Sequence, residues 1–408
     1  MSKISPTVAV VFHRLGPYYF ARLQAVGRLL PIVGMETSGI DETYAWDLIA
    51  GADGFERVTL FEKADAQKLP AVEVVRRVGL ALDKVRPAVV VVPGWADSAA
   101  LGALLWCVKS QVPAVIMSES TAWDEPRKPW KEFIKRQIVG LGSAALVGGT
   151  PHKNYLVQLG MPTERVFLGY DAVDNGYFAQ GTKEVRSKKD ELRRKHGLPE
   201  KYFLASARFV GKKNLPSLIE AYKRYRKLAQ KSERGEGIAP WNLVLLGDGA
   251  LRKEIEVCCS ELGVSQWVHM PGFKQYSDLP NYYGCAQAFI HASTTEQWGL
   301  VVNEAMASGL PVLVSNRCGC ATDLVQEGVN GFTFDPLEVE QLAQLMLKIS
   351  VAGFPLSTFG LASQRIISEW GPEQFAAGLK AAADCALTVG PAKPTLLQRL
   401  ILKVMLAR

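Results

Sequence analysis

The sequence predicts an α/β protein with two Rossmann-like, doubly wound domains that face each other across a cleft. The chain has 408 residues, which is too long for one ordinary domain and suits two. Apolar runs of strand length alternate with amphipathic runs of helix length in both halves, which is the rhythm of parallel sheets with crossover helices. The run from Ala88 to Val92 is almost continuously Val, which is typical of a strand buried on both faces.

The N-terminal half begins this alternation close to the first residue. We expect strands at Val8 to Phe12, Pro31 to Met35, Val58 to Phe61, Ala88 to Val92, Ala114 to Met117 and Ala144 to Val147. We expect helices at about Tyr18 to Leu30, Leu69 to Val85, Ser98 to Val108 and Pro151 to Leu159. His152 lies at the start of the last helix, where a surface or capping role is the expected one.

The C-terminal half repeats the pattern after the turn-rich stretch from Val166 to Phe178, which predicts a domain boundary. We expect strands at Tyr202 to Ala207, Leu243 to Leu246, Trp267 to Met270, Phe289 to Ile290 and Pro311 to Val314. We expect helices at Asn214 to Gln230, Asp278 to Cys285, Glu338 to Leu347 and Pro372 to Thr388, with two more after Gly249 and Gly299. The predicted divisions are residues 1–170, 171–371 and 372–408, the last packing back toward the N-terminal domain.

Composition favours a protein of the reducing cytoplasm and leaves its ligand open. Hydrophobic residues make up 48% of the chain and charged residues 21%, the balance of a globular protein with ample core. The seven cysteines are odd in number and lack the spacing of a disulfide framework. Cys318 and Cys320 have no second Cys or His pair nearby, so we expect core residues there rather than zinc ligands. A net charge of +7 is compatible with an anionic ligand, an anionic membrane surface or nucleic acid.

The stretch from Phe289 to Ser315 predicts a strand, a loop, a helix beginning at Gly299 and a second strand. The free N–H groups and positive dipole end at such a helix start suit a phosphate. Glu296 precedes the helix and Glu304 lies inside it, where carboxylates can accept hydrogen bonds from sugar or ribose hydroxyls. Because ligands of parallel sheets bind outside the carboxyl ends of the strands, this stretch predicts a nucleotide-sugar site.

The loop after the strand at Tyr202 carries Arg208 and Lys213 on either side of Gly211. Two interpretations are compatible with it: a clamp on a diphosphate, with the Arg bidentate and the Lys as a point charge, or a solvated basic loop. The Gly247-Asp248-Gly249 segment lacks the third glycine of a dinucleotide fingerprint. We therefore expect it to form a tight turn between strand and helix.

Several motifs follow one another in a specific order between Tyr202 and Pro336. They are R-F-V-G-K-K-N, L-L-G-D-G-A-L, V-H-M-P-G-F, D-L-P-N-Y-Y-G-C-A-Q-A-F-I-H-A-S, E-Q-W-G-L-V-V-N-E-A-M-A-S-G-L-P-V and D-L-V-Q-E-G-V-N-G-F-T-F-D-P. This ordered set resembles family 4 of the retaining glycosyltransferases, which have the two-Rossmann GT-B fold. The family signature is an acidic residue, seven others and a second Glu, here Glu296 and Glu304. The N-terminal half matches the family less well.

The resemblance implies roles for four residues, three at the reacting groups and Glu304 in donor binding, and a fifth candidate, Glu119, stands where the chain departs from the family. Glu296 would contact the hydroxyls of the donor sugar, and Glu304 would hold the ribose of the nucleotide. Arg208 and Lys213 would neutralise the diphosphate as it leaves. Many members carry a His after a middle strand of the first domain, where this chain has Ser118-Glu119-Ser120. Glu119 is a candidate for the reaction or for acceptor binding, and a structural carboxylate at a strand end is the alternative.

The resemblance also implies backbone contacts to the donor. The N–H groups of Gly299 and Leu300 would bind the distal phosphate. The loop at Gly272 and Phe273 would lie against the base. Such enzymes often carry a Gly-Gly pair in the first loop, and Gly16, followed by Pro, is its counterpart here.

The expected function is therefore transfer of a sugar from a nucleotide-diphosphate sugar to a hydroxyl acceptor with retention of configuration. The N-terminal domain would bind the acceptor, a glycan or lipid-linked glycan of the cell envelope, and the C-terminal domain the donor. No metal, no separate cofactor and no nucleic-acid partner are expected, because two cations take the place of an Asp-x-Asp metal motif. A nucleotide-sugar epimerase of the same fold and an inactive sugar-binding protein are the alternatives.

One stretch of the N-terminal domain favours contact with the inner face of the cell membrane. Residues Arg127 to Arg136 interleave five cations with Trp130, Phe133 and Ile134. This pattern suits an interfacial anchor on an anionic surface. An ordinary amphipathic helix with its aromatic residues packed on the sheet is the alternative. The tail from Leu396, L-L-Q-R-L-I-L-K-V-M-L-A-R, is a second candidate contact.

Overall fold

A computed structural model describes residues 6–40, 51, 53–231 and 239–407. The chain forms two compact units: Met1–Val173 together with Trp370–Arg408, and Asp174–Glu369. The change from the first unit to the second falls inside the turn-rich stretch at Val166 to Phe178. A polar loop expected at Lys231 to Pro240 falls mostly on residues 232–238, outside the described residues.

The first unit contains a parallel sheet flanked by helices. Within the described residues this sheet has seven strands in the order β3-β2-β1-β4-β5-β6-β7. The strands are β1 Val8–Phe12, β2 Ile32–Ser38, β3 Glu56–Phe61, β4 Val89–Pro93, β5 Ala114–Ser118, β6 Ala144–Val147 and β7 Val166–Leu168. The helices between them are α1 Pro17–Gly27, α2 Ala71–Val85, α3 Ser98–Ser110, α4 Pro129–Val139 and α5 Thr150–Gln158. Apolar side chains on both faces of the central strands are buried, as the Val run predicts.

The second unit repeats this architecture. Its sheet has six described strands in the order β10-β9-β8-β11-β12-β13. The strands are β8 Tyr202–Ser206, β9 Asn242–Leu246, β10 Val268–Gly272, β11 Ala288–His291, β12 Val312–Ser315 and β13 Gly331–Phe334. The helices are α6 Asn175–Ser187, α7 Lys189–His196, α8 Leu215–Lys231, α9 Arg252–Glu261, α10 Leu279–Cys285, α11 Leu300–Ala307, α12 Ala321–Leu324, α13 Val339–Ser350 and α14 Leu356–Ser368.

The last two helices, α15 Pro372–Val389 and α16 Leu396–Leu406, return to the first unit. Phe375 on α15 is buried and its ring lies 6.4 Å from that of Tyr170. Gln398 on α16 donates from Nε2 to the carbonyl oxygen of Gln137 on α4, at 3.2 Å. Leu402 is buried in the core below α3 and α4. The C-terminal segment therefore completes the core of the unit that the N-terminus begins.

The predicted α/β class with two Rossmann-like sheets is confirmed by this topology. The short strands β7 and β13 and the helix α14 were not expected from the sequence. His152 is buried rather than on the surface, and its Nδ1 accepts a hydrogen bond from the Gly149 N–H at 3.1 Å. That contact is the capping role expected for it. No helix in the described part of the chain combines the length and apolarity needed to cross a bilayer.

Candidate functional site

The candidate site lies in the second unit, at the carboxyl edge of its sheet. Strand β8 pairs with β9 on one side and β11 on the other, so the strand order reverses here. Ligands of open parallel sheets bind outside the carboxyl ends of the strands at such a reversal. The loops after β8 and β11, residues 207–214 and 292–299, are therefore neighbours, although they lie far apart in sequence.

The loop after β8 presents its cations on a rigid backbone. Arg208 is exposed, while the next residue, Phe209, is buried and its N–H donates to the carbonyl oxygen of Asp248 at 2.8 Å. A Cβ at Gly247 would lie only 2.0 Å from the carbonyl oxygen of Ala207, and the φ angle of Gly247 is +130°. The Gly-Asp-Gly segment therefore forms a tight turn that allows two loops to approach closely, as the sequence predicts. It does not form a dinucleotide-binding motif.

The second cation of this loop forms a buried ion pair with the first predicted glutamate. Lys213 Nζ donates to Glu296 Oε2, and both side chains are largely buried. Lys212 Nζ lies 3.9 Å from the other oxygen of Glu296. The structure thus joins the phosphate-clamp candidate and the sugar-contact candidate in one electrostatic cluster, and the alternative of a wholly solvated basic loop is wrong for Lys213.

Two further polar side chains complete the surroundings of Glu296. His291, the last residue of β11, is buried, and its Nε2 lies 3.4 Å from Glu296 Oε2. Ser293 Oγ donates to the same oxygen at 3.3 Å. Burial alone would raise the pKa of Glu296, but the His291 hydrogen bond and the Lys213 ammonium hold it well below its usual range. Burial lowers the pKa of His291, so its ring is a neutral donor beside an ionised carboxylate.

The start of α11 lies directly beside this cluster. Gly299 is its N-cap with φ +107°, and a Cβ there would lie 3.6 Å from Glu296 Cγ. The buried Trp298 indole donates to Asn303 Oδ1 at 2.9 Å and fixes the first turn. Leu300 is the first helical residue, and the N–H groups of a first turn have no partner within the helix. The arrangement is therefore suited to bind an anion next to Glu296 and Lys213.

The C-x-C segment supports this loop from below. Cys318 and Cys320 are buried free thiols, and the Cys320 N–H donates to the carbonyl oxygen of Trp298 at 3.2 Å. Burial, followed by the nearby Glu296 charge, raises the pKa of the Cys318 thiol. Both cysteines are therefore core residues, as expected. No group of three or more His, Cys, Asp and Glu side chains in the described residues is placed to hold a metal ion.

The second glutamate, Glu304, is buried on α11 one turn beyond the helix start. Its Oε2 accepts a hydrogen bond from Tyr283 Oη at 2.5 Å. Tyr283 lies on α10, which packs beside α11. The carboxylate is thus held by a neutral donor, unlike Glu296, whose partner is an ammonium.

The remaining predicted donor-binding residues fall at two places. Gly272 ends β10 with φ +81°, and the Phe273 side chain that follows it is 42% exposed, so this loop offers an exposed aromatic ring at the same sheet edge. Gly16 belongs to the first unit, where it caps α1 with an extended backbone.

Glu119 also belongs to the first unit, where it follows β5. Burial raises the pKa of Tyr19, and the Glu119 charge adds to that shift. Burial, Tyr19 and Glu119 together raise the pKa of Tyr170. The structure therefore groups Glu119 with two phenols of its own unit, the buried Tyr170 and the partly buried Tyr19.

Sequence reasoning missed His291, Ser293 and Tyr283. His291 ends an apolar strand and Tyr283 lies in a short apolar helix, where buried aromatic and imidazole side chains are usually core. Their contacts with Glu296 and Glu304 join residues on different elements or on a loop, so no periodicity in the sequence marks them.

The site places the protein in a class of open α/β proteins. In this class a basic loop, two glutamates and the glycine-capped start of a helix lie together at one edge of the sheet. Residues 188–351 match the family model described as glycosyl transferases group 1. This match includes the whole segment that carries the ordered motifs, and it supports the resemblance there.

Two curated relatives illustrate the range of similar proteins. Alpha-monoglucosyldiacylglycerol synthase of Acholeplasma laidlawii is 29% identical over 160 residues, covering 38% of this chain and 36% of that protein. A GDP-mannose-dependent alpha-(1-6)-phosphatidylinositol monomannoside mannosyltransferase of Mycobacterium tuberculosis is 26% identical over 198 residues, covering 46% of this chain and 49% of that protein. The alignments thus span about a third to a half of these relatives.

Solved structures match over nearly the whole chain. HepE of Anabaena, in complex with UDP, gives a TM-score of 0.68 at 17% identity, covering 92% of this chain and 98% of that chain. The same protein has also been solved with UDP-glucose. At this identity the likeness shows the fold, which is the GT-B fold with its two Rossmann-like domains.

Proposed function

We propose that this protein is a retaining, metal-independent glycosyltransferase of family 4 that moves a sugar from a nucleotide-diphosphate sugar to a hydroxyl acceptor. The acceptor belongs to cell-envelope polysaccharide or lipid-linked glycan synthesis. The observation that carries the proposal is the Lys213–Glu296 pair beside the glycine-capped start of α11. The family match and the UDP complexes of HepE support a nucleotide-sugar donor.

Each contact in the site has a place in the proposed reaction. The distal phosphate binds at the N-terminus of α11, with Arg208 and Lys213 neutralising the charge that develops as the diphosphate leaves. An ammonium has three donor hydrogens, so Lys213 can bind phosphate and Glu296 together. Glu296 is kept ionised and orients the donor sugar through its hydroxyls. The acceptor hydroxyl attacks from the side of the leaving diphosphate, whose oxygen takes the proton, and catalysis rests on positioning and charge stabilisation.

A thermal-shift screen followed by a transfer assay tests this function. Nucleoside diphosphates and their sugars should raise the melting temperature, because a ligand at 100 times its dissociation constant stabilises the native state by about 2.7 kcal/mol. The donor found this way is then incubated with and without candidate acceptors. Altered donor sugar without an acceptor would indicate an epimerase, and binding without turnover would indicate an inactive sugar-binding protein.

Transfer should retain the anomeric configuration of the donor and should persist in the presence of a chelator. The reason is that Arg208 and Lys213 supply the positive charge at the diphosphate. Product NMR of the purified enzyme with and without EDTA measures both properties. An inverted product, or loss of activity in EDTA with rescue by manganese, would contradict the mechanism.

The proposal places the enzyme on the cytoplasmic face of the membrane through α4 and α16 of the first unit. Trp130 and Phe133 of α4 are 53% and 48% exposed, so they do not pack on the sheet as the alternative interpretation requires. Leu396 and Leu400 of α16 are 87% and 59% exposed. The hydrogen bond between Gln398 and the α4 backbone makes the two helices neighbours. Exposed apolar side chains grouped on neighbouring helices are typical of interaction sites.

The cations that accompany this surface differ from those expected. Arg127 is bonded to Asp124, and Lys135 lies 2.9 Å from Glu125 and 3.2 Å from Glu132, so both are neutralised within the unit. Lys131 is 3.6 Å from Glu125. Exposed cations remain at Lys128, directly before α4, at Arg136 on α4, and at Arg399 and Lys403 on α16. These four, rather than Arg127 and Lys135, face an anionic surface in the proposal. The lipids in the names of both curated relatives support a membrane location.

Liposome flotation tests this docking. Wild-type protein should float with anionic vesicles at low salt and much less with neutral ones, since each Lys or Arg at the surface adds about 1 kcal/mol. Replacing Leu396 and Leu400 with Ser and Lys403 with Glu should abolish flotation. The matched control carries Val72→Ser, Leu80→Ser and Arg77→Glu on α2, another helix with exposed apolar residues. If wild type does not float, or both variants behave alike, a soluble acceptor is the better assignment.

A further inference from the structure

Tyr283 is a buried tyrosine whose hydroxyl contacts one of the two signature glutamates. Its side chain has no exposed surface, and its Oη donates to Glu304 Oε2 at 2.5 Å. Hydrogen bonds to a charged acceptor are shorter and about twice as strong as neutral ones. Glu304 is itself 1% exposed, so this donor fixes the plane of a carboxylate that solvent barely reaches.

The ring of Tyr283 is fixed as firmly as its hydroxyl. It packs against Phe178 on α6 and Phe289 on β11, each with a centroid distance of 5.8 Å. The Ser206 hydroxyl, at the end of β8, also hydrogen-bonds to the phenol. Burial and the Glu304 charge raise the pKa of Tyr283 well above its usual value, so it remains a neutral donor. A chain of hydroxyls therefore runs from the strand before the basic loop to the carboxylate on α11.

We propose that Tyr283 is a positioning residue that aims Glu304 at the ribose, and that it thereby sets the preference for ribonucleotide over 2′-deoxyribonucleotide donors. The inference rests on the proposed function, in which Glu304 accepts hydrogen bonds from the ribose hydroxyls. A carboxylate held in one plane can accept from two adjacent hydroxyls with good geometry at both. A carboxylate that can rotate loses part of that selectivity. A site rejects an analogue that lacks a hydroxyl because a buried acceptor is then left unpaired, and a mobile acceptor can turn to another donor.

Tyr283→Phe removes the hydroxyl and leaves the packing intact. The variant should bind the nucleoside diphosphate about tenfold more weakly, the effect of about one lost hydrogen bond to a charged group. Its preference for the ribonucleotide over the 2′-deoxyribonucleotide should fall by about the same factor. In transfer assays the KM for the donor should rise while kcat changes little, because Tyr283 acts in binding and not on the leaving group.

Tyr202→Phe is the matched control. Tyr202 is equally buried, and its hydroxyl donates to the carbonyl oxygen of Tyr282 on the same helix, α10, at 2.6 Å. Its loss therefore removes a buried phenol hydroxyl next to Tyr283 without touching Glu304. A merely structural role for Tyr283 predicts that both variants lower the melting temperature and leave the ribose preference unchanged.

Isothermal titration decides the question, using whichever of UDP, GDP or ADP raises the melting temperature, together with its 2′-deoxy counterpart. Loss of ribose preference in Tyr283→Phe but not in Tyr202→Phe supports the inference. If both variants keep the ribose preference of the wild type, the inference is overturned and the proposed function stands. Absence of binding to the wild type by every nucleoside diphosphate and nucleotide sugar of the thermal-shift screen overturns both. If Tyr283→Phe does not fold, Ser206→Ala, which removes a partner of the phenol, should show a smaller loss of preference in the same direction, and an unchanged preference there overturns the inference.

Discussion

Replacing Arg208 with alanine should lower kcat about 10²–10³-fold while the fold stays intact, and Lys213→Met and Glu304→Gln should each cost activity severely as well. Arg208 is exposed at the carboxyl end of β8, so its removal disturbs no core packing. Its proposed partner is the charge that develops on the departing diphosphate, and a contact made mainly in the transition state affects kcat more than donor affinity.

Arg224→Ala is the control for this loss of charge. Arg224 is a half-exposed arginine of the same unit that pairs with Glu220 and Glu340 on the helical face, at 2.6 and 3.5 Å. Its removal should leave kcat within about twofold of wild type, since exposed pairs contribute little. Steady-state kinetics over a range of donor concentrations, with circular dichroism of each variant, gives kcat and kcat/KM for the comparison. Near-normal kcat in Arg208→Ala and near-normal kcat/KM in Glu304→Gln would remove these residues from the site.

Glu296→Gln should destabilise the second unit as well as inactivate the enzyme. The carboxylate is largely buried and bonded to Lys213, and removing one partner of a buried pair leaves the other charge uncompensated, at a cost of about 3 kcal/mol. A double-mutant cycle with Lys213→Met isolates the pair. Because each single change leaves one buried charge without its partner and the double change leaves none, the double variant should lose less stability than the sum of the two single losses. Additive losses would mean that the pair contributes nothing.

The same variant gives a signature in pH. The folded-state pKa of Glu296 is depressed, so its stabilisation is fully present above the unfolded-state pKa of about 4.3 and is lost as the pH falls toward the folded-state value. The difference in unfolding free energy between wild type and Glu296→Gln should therefore be constant from about pH 8 to 5 and shrink below about pH 4. Urea titrations at several pH values measure it. A difference that grows on acidification would contradict an ionised Glu296.

Much of the framework follows from local sequence. Strands buried on both faces must be nearly continuous apolar runs, which is why Val8 to Phe12 and Ala88 to Val92 were recognisable. The helix that begins after Gly299 was predictable because glycine is suited to the left-handed N-cap that the structure shows. Strand β13, in contrast, has four residues within a turn-rich segment and became a strand only by pairing with β12. Such short strands are stabilised by pairing with strands that lie elsewhere in the sequence, which a local sequence pattern does not include.

The sequence by itself determined most strands and helices in their order, the two-domain division of the chain and the residues at the ends of the main strands, because these depend on periodicity and on turn chemistry. The tertiary structure decided which of those residues meet. Lys213 and Glu296 are 83 positions apart and pair because β8 and β11 are neighbours in the sheet. Tyr283 reaches Glu304 because two helices lie side by side, and Arg127 is neutralised because Asp124 and its neighbours fold around it. Contacts of this kind depend on distances in space, which the spacing of residues along a chain does not encode.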